Sequence, residues 1–216
     1  MLDSARRPTR PGVVATTLPA HVRTSVTIGA LLLVLLLPAA VGARTGAGNP
    51  PFVGATLTHP APPPDFALRD QRGHRVHLAA LRGKVVLLTF LYTHCPDVCP
   101  LTATNLNLAV RNLGRAGRNV EILAVSVDPV GDTPAAVRAF VRERGLGAAF
   151  HYLTGAKAKL APIWRAYHVA AVRVGAREVD HTLYTLLIDR SGKGRVIFDS
   201  RATAKQIAHD ARLLLS

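Results

Sequence analysis

The chain has 216 residues with 27 Lys and Arg against 13 Asp and Glu, a formal net charge of +14, and only two cysteines. Two cysteines four positions apart exclude a disulfide-built scaffold. The charge would suit nucleic acid, but the arginines are scattered and never form a dense run with interleaved aromatics, so no nucleic-acid partner is expected. A solvated basic surface, or one attracted to anionic lipid headgroups or an acidic protein, accounts for it.

In chain order, residues 1–25 are basic, with Arg6, Arg7, Arg10 and Arg23, and lead into an uncharged apolar run from Val26 to Ala43. At about 18 residues that run is near the minimum for crossing a bilayer. The small residues Val41-Gly42-Ala43 also suit signal-peptide cleavage. Either way the remainder is carried across a membrane, and the basic end stays cytoplasmic. An uncleaved anchor is the preferred reading, since Pro38 is tolerated near a helix end; cleavage would give a secreted domain. Residues 44–63 are rich in Gly, Ala and Pro and read as a tether. Residues 64–216 then form one domain with a core of its own, carrying 22 Lys and Arg against 12 Asp and Glu.

Within that domain, Phe66–Leu78 alternates about Gly73 as a small hairpin, an N-terminal extension to the main sheet. Val85–Tyr92 is apolar and β-branched enough for a buried strand, and Pro100–Leu113 has helical apolar spacing. Val120–Val127 is a second buried strand. Asp132 or Thr133 caps a helix with Pro134 in its first turn, ending at Gly145. A short strand at Phe150–Leu153, a helix through Trp164 to Tyr167, a strand Thr182–Asp189, a turn at Arg190–Gly194, a strand Arg195–Phe198 and a helix Thr203–Leu215 complete the chain. Alternating strands and helices that end in a hairpin and a helix predict an α/β fold: a mixed central sheet with helices on both faces.

Cys95 and Cys99 lie where the first buried strand passes into a helix, in Thr93-His94-Cys95-Pro96-Asp97-Val98-Cys99-Pro100. Free N–H groups and the helix dipole favour thiolates there. A spacing of four on a first helical turn aims both sulfurs to one side, which suits a soft metal ion. Burial as small apolar side chains and a redox disulfide are the alternatives; the three intervening residues differ from the thioredoxin Cys-x-x-Cys. Outside the cytoplasm the thiols need a reductant, a metal, or redox cycling.

Taken together, the Cys-x-x-x-Cys-Pro segment after a strand, Ser126-Val127-Asp128-Pro129, Asp132-Thr133-Pro134 and Val179-Asp180-His181-Thr182 resemble the Sco/SenC family of membrane-tethered copper proteins. The resemblance covers Pro64 to the C-terminus and implies a thioredoxin-like fold. It also implies one copper ion per chain, Cu(I) or Cu(II), held by Cys95, Cys99 and His181. The implied role is to deliver copper to the binuclear copper site in subunit II of cytochrome c oxidase, or to reduce the cysteines of that site. An extracytoplasmic thiol–disulfide oxidoreductase or redox sensor using the Cys95/Cys99 pair is the alternative. No proline stands near Thr182–Tyr184, where thioredoxins carry a cis-proline, which weighs against ordinary disulfide exchange.

Asp97 reads as a loop-shaping or partner-contacting acid, since a carboxylate is a hard ligand. Asp128 and Asp180 either orient His181 and tune the thiolates, or form turns. His94 is expected to point away from the sulfurs. Trp164 and Tyr167 read as core residues. His74, His77 and His151 show no metal spacing, and a monomer is expected.

Overall fold

The computed structural model describes residues 52–216. The readings of a basic N-terminus, a membrane-crossing segment and the first part of the tether lie outside these residues. Among the described residues no helix is long and apolar enough to cross a membrane.

The core is a six-stranded mixed sheet. It is built from β1 (Ala55–Thr56), β4 (Val85–Leu91), β5 (Val120–Ser126), β6 (Phe150–Leu153), β9 (Thr185–Ile188) and β10 (Gly194–Phe198), in the order β1-β10-β9-β4-β5-β6. β4, β5 and β6 run parallel, while β9 and β10 return antiparallel on the other side of β4. All seven residues of β4 are buried. A strand with no exposed residue must be covered on both faces, which is why it reads as an unbroken apolar run. The covering helices are α1 (Val98–Asn112), α2 (Pro134–Glu143), α3 (Lys157–Ala166) and α4 (Ala204–Leu215). α1 packs on α4. Phe140 of α2 meets Tyr152 edge-on, and Trp164 of α3 donates its indole N–H to the Ser126 carbonyl at 2.9 Å. The small hairpin β2 (Ala67–Arg69) and β3 (Arg75–His77) turns at Gly73, whose φ of 85° lies in the left-handed region open to glycine. This is the expected thioredoxin-like α/β arrangement.

Three elements depart from the sequence reading. Residues 55 and 56, placed there in the tether, form β1 and pair with β10; Phe52 and Leu57 pack on the core beside them. Ala55, Ile197, Leu186 and Leu88 stand in one row across the sheet, with β1 antiparallel to β4. α1 begins at Val98 and not Pro100, because a proline in the first turn lacks only an N–H that has no helical partner anyway. The strand read as Thr182–Asp189 starts at Thr185. The residues before it form a separate two-stranded sheet, β7 (Ala171–Arg173) with β8 (Val179–His181).

Candidate metal centre

β4 ends at Leu91 and the chain turns through Thr93–Asp97 into α1. Cys95 therefore sits in the loop ahead of the helix, and Cys99 in the first helical turn. The loop, and not a shared helical face, brings the two sulfurs together. The Cys99 N–H donates to Cys95 Sγ at 3.4 Å. Both cysteines are free and buried, Cys99 completely.

The two thiols differ. The Cys99 side chain donates a hydrogen bond to Cys95, and with the N–H groups of Cys99 and Asp97 and the Tyr92 hydroxyl this overcomes the cost of burial, lowering the Cys95 pKa to about 5. The same bond, and then burial, pushes the Cys99 thiol far up. At neutral pH the pair thus holds one proton between its sulfurs, with the thiolate on Cys95.

His181 ends β8, and its Nε2 stands 3.7 Å from Cys99 Sγ. Its Nδ1 lies 3.0 Å from the Thr182 carbonyl oxygen. A carbonyl only accepts, so Nδ1 carries the proton and the Nε2 lone pair faces the sulfurs. Burial lowers the pKa of the imidazole, which favours that neutral form. With metal–sulfur and metal–nitrogen bonds of about 2.3 and about 2.0 Å, as at zinc, a trigonal angle separates the two donors by about 3.7 Å. Cys99 and His181 therefore stand as far apart as two donors to one ion, with Cys95 beside Cys99. Among the described residues no group of three or more His, Cys, Asp or Glu side chains stands arranged to hold a metal ion. Sulfur and imidazole nitrogen are soft to borderline donors, of the kind that select soft ions.

The other sequence-predicted residues separate. Asp97 is exposed and stands at the N-cap of α1 without a side-chain bond; its backbone N–H faces Cys95. Asp180 is exposed, across the hairpin from Val172. Asp128 is buried and forms a turn: its Oδ1 accepts from the N–H groups of Val130 (3.2 Å) and Gly131 (3.0 Å) and from Arg173. It makes no hydrogen bond to His181 or to either cysteine. His94 lies by Gly131, its Nδ1 3.2 Å from Thr93 Oγ1. A Cβ at Gly131 would stand 2.2 Å from Asp128 Oδ2 and 3.0 Å from His94 Nδ1, so only glycine fits there. His151 sits between Asp70 and Glu121, away from any sulfur.

Two supporting residues escaped the sequence reading. Tyr92 packs its ring edge-on against His181, with centroids 5.6 Å apart. Burial, and then the Cys95 charge, hold its pKa at about 12, so its hydroxyl stays protonated beside that thiolate. Its only signal was its place, at the end of a buried strand three residues before Cys95. Of the two residues read as possible caps, Asp132 and Thr133, it is Thr133 that caps α2, accepting from the Ala136 N–H. Asp132 instead collects Thr93 N–H and Oγ1 (both 2.8 Å), Ser126 Oγ (2.6 Å) and Tyr152 Oη (3.0 Å), tying the cysteine loop to the end of β5.

The SCO1/SenC family profile matches residues 55–216. The mitochondrial SCO2 homologue of Bos taurus is 35% identical over 159 residues, which is 68% of this chain and 58% of that protein's length. ScoI of Bradyrhizobium japonicum, solved with copper bound, is 32% identical, covers 71% of this chain and 99% of its own, and superposes with a TM-score of 0.64. The copper-bound ScoI of Arabidopsis thaliana is 27% identical, with 69% and 95% coverage and a TM-score of 0.62. The strand–cysteine-loop–helix unit, the paired sulfurs facing one imidazole and the span of the profile agree: the chain belongs to the SCO1/SenC family.

Proposed function

We propose that this protein is a copper carrier. It binds one copper ion through Cys95, Cys99 and His181 and hands it to the binuclear copper site of cytochrome c oxidase subunit II. It works as a monomer on the extracytoplasmic side of a membrane, to which residues 26–43 fasten it. The observation that carries this reading is the Nε2 of His181 standing 3.7 Å from the buried Cys99 sulfur, with the Cys95 sulfur on the Cys99 N–H beside it. Copper-bound relatives of the same fold support the choice of metal.

The chain's own groups divide the work. Cys95 is already a thiolate, Cys99 gives up its proton when the ion arrives, and His181 offers a neutral nitrogen held in the right tautomer by Thr182. Copper supplies the bonds to these three donors. Three donors leave a position through which a recipient's ligand can enter, so the ion can be passed on by exchange.

Anaerobic titration of the reduced full-length chain in nonionic detergent with Cu(I), against a competing chelator, tests this. One equivalent should bind tightly, and Cys95→Ser or Cys99→Ser should abolish tight binding. Loss of an outer partner of a ligand costs about 10–100-fold in affinity, so His181→Ala should cost at least that. Unchanged affinity in His181→Ala removes His181 from the ligand set. The thiolate at Cys95 also favours a second role, reduction of a recipient's disulfide. There Cys95 and Cys99 give up two electrons and their one proton and close their own disulfide, while the recipient's disulfide takes the electrons and, with a second proton from solvent, opens to two thiols. That oxidation removes both sulfur ligands, so the two roles exclude each other at any one moment.

A further inference from the structure

His181 stands outside the main sheet, on a hairpin of two three-residue strands. A two-stranded ribbon of that size is not stable on its own in water. What docks it therefore decides where the imidazole stands. At the base, the Thr182 N–H donates to the Ala170 carbonyl and Ala170 N–H to Thr182 Oγ1, closing the ribbon on itself. Val179 is buried, and Tyr92 lies against the His181 ring. The turn end has a different anchor. Arg173, opposite Val179 in the register, sends Nη1 to the carbonyls of Ala176 (2.6 Å) and Gly175 (3.4 Å), within the turn of its own hairpin. Its Nη2 reaches Asp128 Oδ1 in the loop after β5.

Asp128 is the fixed half of this contact. Its side chain is 1% exposed and already held by the Val130 and Gly131 N–H groups, while Oδ2 has no partner. Arg173 is the movable half, a third exposed. The planar guanidinium makes both contacts at once, one nitrogen to the turn and one to the loop, which an ammonium cannot reproduce. A buried carboxylate whose only cationic partner among the described residues is this arginine gives the contact a directional pull that a rim ion pair lacks.

We propose that Arg173 is a positioning residue for His181: its guanidinium brackets the hairpin turn and docks it on Asp128, which keeps the imidazole over the cysteine pair. With the bracket open, the hairpin lifts, His181 leaves the sulfurs, and the ion is held by two thiolates alone. Arg173 thus sets how often the third ligand is in place. This rests on the reading of His181 as a ligand, and affinity then falls in proportion to the fraction of molecules in the docked state.

The test is a double-mutant cycle on the full-length chain in detergent, with Arg173→Met, Arg173→Lys, His181→Ala and the Arg173→Met/His181→Ala pair. Cu(I) affinity is read by chelator competition, and amide hydrogen exchange of residues 171–181 is read without metal. Arg173→Met should weaken Cu(I) binding about tenfold, the cost of an outer partner, and speed exchange across the hairpin. Arg173→Lys should fall between it and wild type. In the His181→Ala background Arg173→Met should change nothing further, because the arginine acts only through that histidine. Nitrogen coupling in the Cu(II) electron paramagnetic resonance spectrum should fade in Arg173→Met. If His181→Ala weakens binding and Arg173→Met does not, or if the two losses add, the positioning role is overturned while His181 remains a ligand. If His181→Ala binds as wild type, the ligand assignment fails and takes the bracket with it.

Discussion

Asp132 touches no sulfur, yet four hydrogen bonds from the cysteine loop, β5 and β6 end on its carboxylate. Removing it leaves buried donors on Thr93, Ser126 and Tyr152, each costing about 1–3 kcal/mol. Asp132→Ala should therefore lose more than about 3 kcal/mol of stability by urea denaturation. Burial outweighs those bonds and raises the Asp132 pKa, so the folded state disfavours the charge itself. Asp132→Asn, neutral and of the same shape, should lose clearly less than the alanine variant. Equal losses in the two variants would show that the charge, and not the shape of the acceptor, holds the loop. Tyr92 acts similarly beside the sulfurs. Tyr92→Phe keeps the ring on His181 but removes a donor to Cys95, so the thiolate should become more basic and react more slowly with iodoacetamide at pH 6.

Among the elements, the hairpin β2–β3 and the strands β5 and β6 are joined through one imidazole. His151 Nδ1 lies 3.1 Å from Asp70 Oδ2, and Nε2 lies 3.0 Å from Glu121 Oε2. The Glu121 bond leads in raising the His151 pKa, while His151 bonds help lower those of Asp70 and Glu121 against burial. The histidine's contribution is then complete below its unfolded pKa of about 6.5 and is lost as pH rises through its higher folded value. The carboxylates contribute above about 4 and lose that contribution in acid. The stability difference between wild type and His151→Gln should be larger at pH 5.5 than at pH 8.5; a difference that does not change with pH contradicts the bridging imidazolium. Long elements such as these strands were legible because burial on both faces writes itself as unbroken apolar runs, as in Val85–Leu91. α4 was legible from its amphipathic spacing, and the structure adds a capping box at Thr203. The β7–β8 ribbon was not, since Ala-Val-Arg and Val-Asp-His are too short to show an alternation. His181 was thus singled out through its motif, while of the neighbours brought to it by the fold Tyr92 carried only its place before Cys95 and Arg173 no sequence signal. β1 was hidden inside a stretch whose Gly and Pro content imitates a linker.

For the molecule as a whole, that hidden strand is fastened twice. Ala55 and Thr56 pair with β10, and the fully buried Asp210 of α4 accepts the N–H groups of Val53 (2.9 Å) and Gly54 (2.9 Å). A Cβ at Gly54 would stand 2.4 Å from Val196 Cγ1, so the backbone lies flat on the sheet edge. A chain beginning at Pro64 leaves the Asp210 carboxylate short of these two donors and bares the β10 edge. It should be less stable than one beginning at Phe52 by about 3 kcal/mol and more prone to self-associate, measured by urea denaturation and light scattering; equal stability would mean that β1 is an ornament of the edge. The direction of β1 matters as well. It runs opposite to β4, so the chain enters the sheet at the end where β4 releases the cysteine loop, three strands or about 14 Å to the side. Entrance and sulfurs thus share one rim of the sheet, so a bulky label joined at Phe52 would stand as a neighbour of the cysteine loop and hinder whatever approaches it.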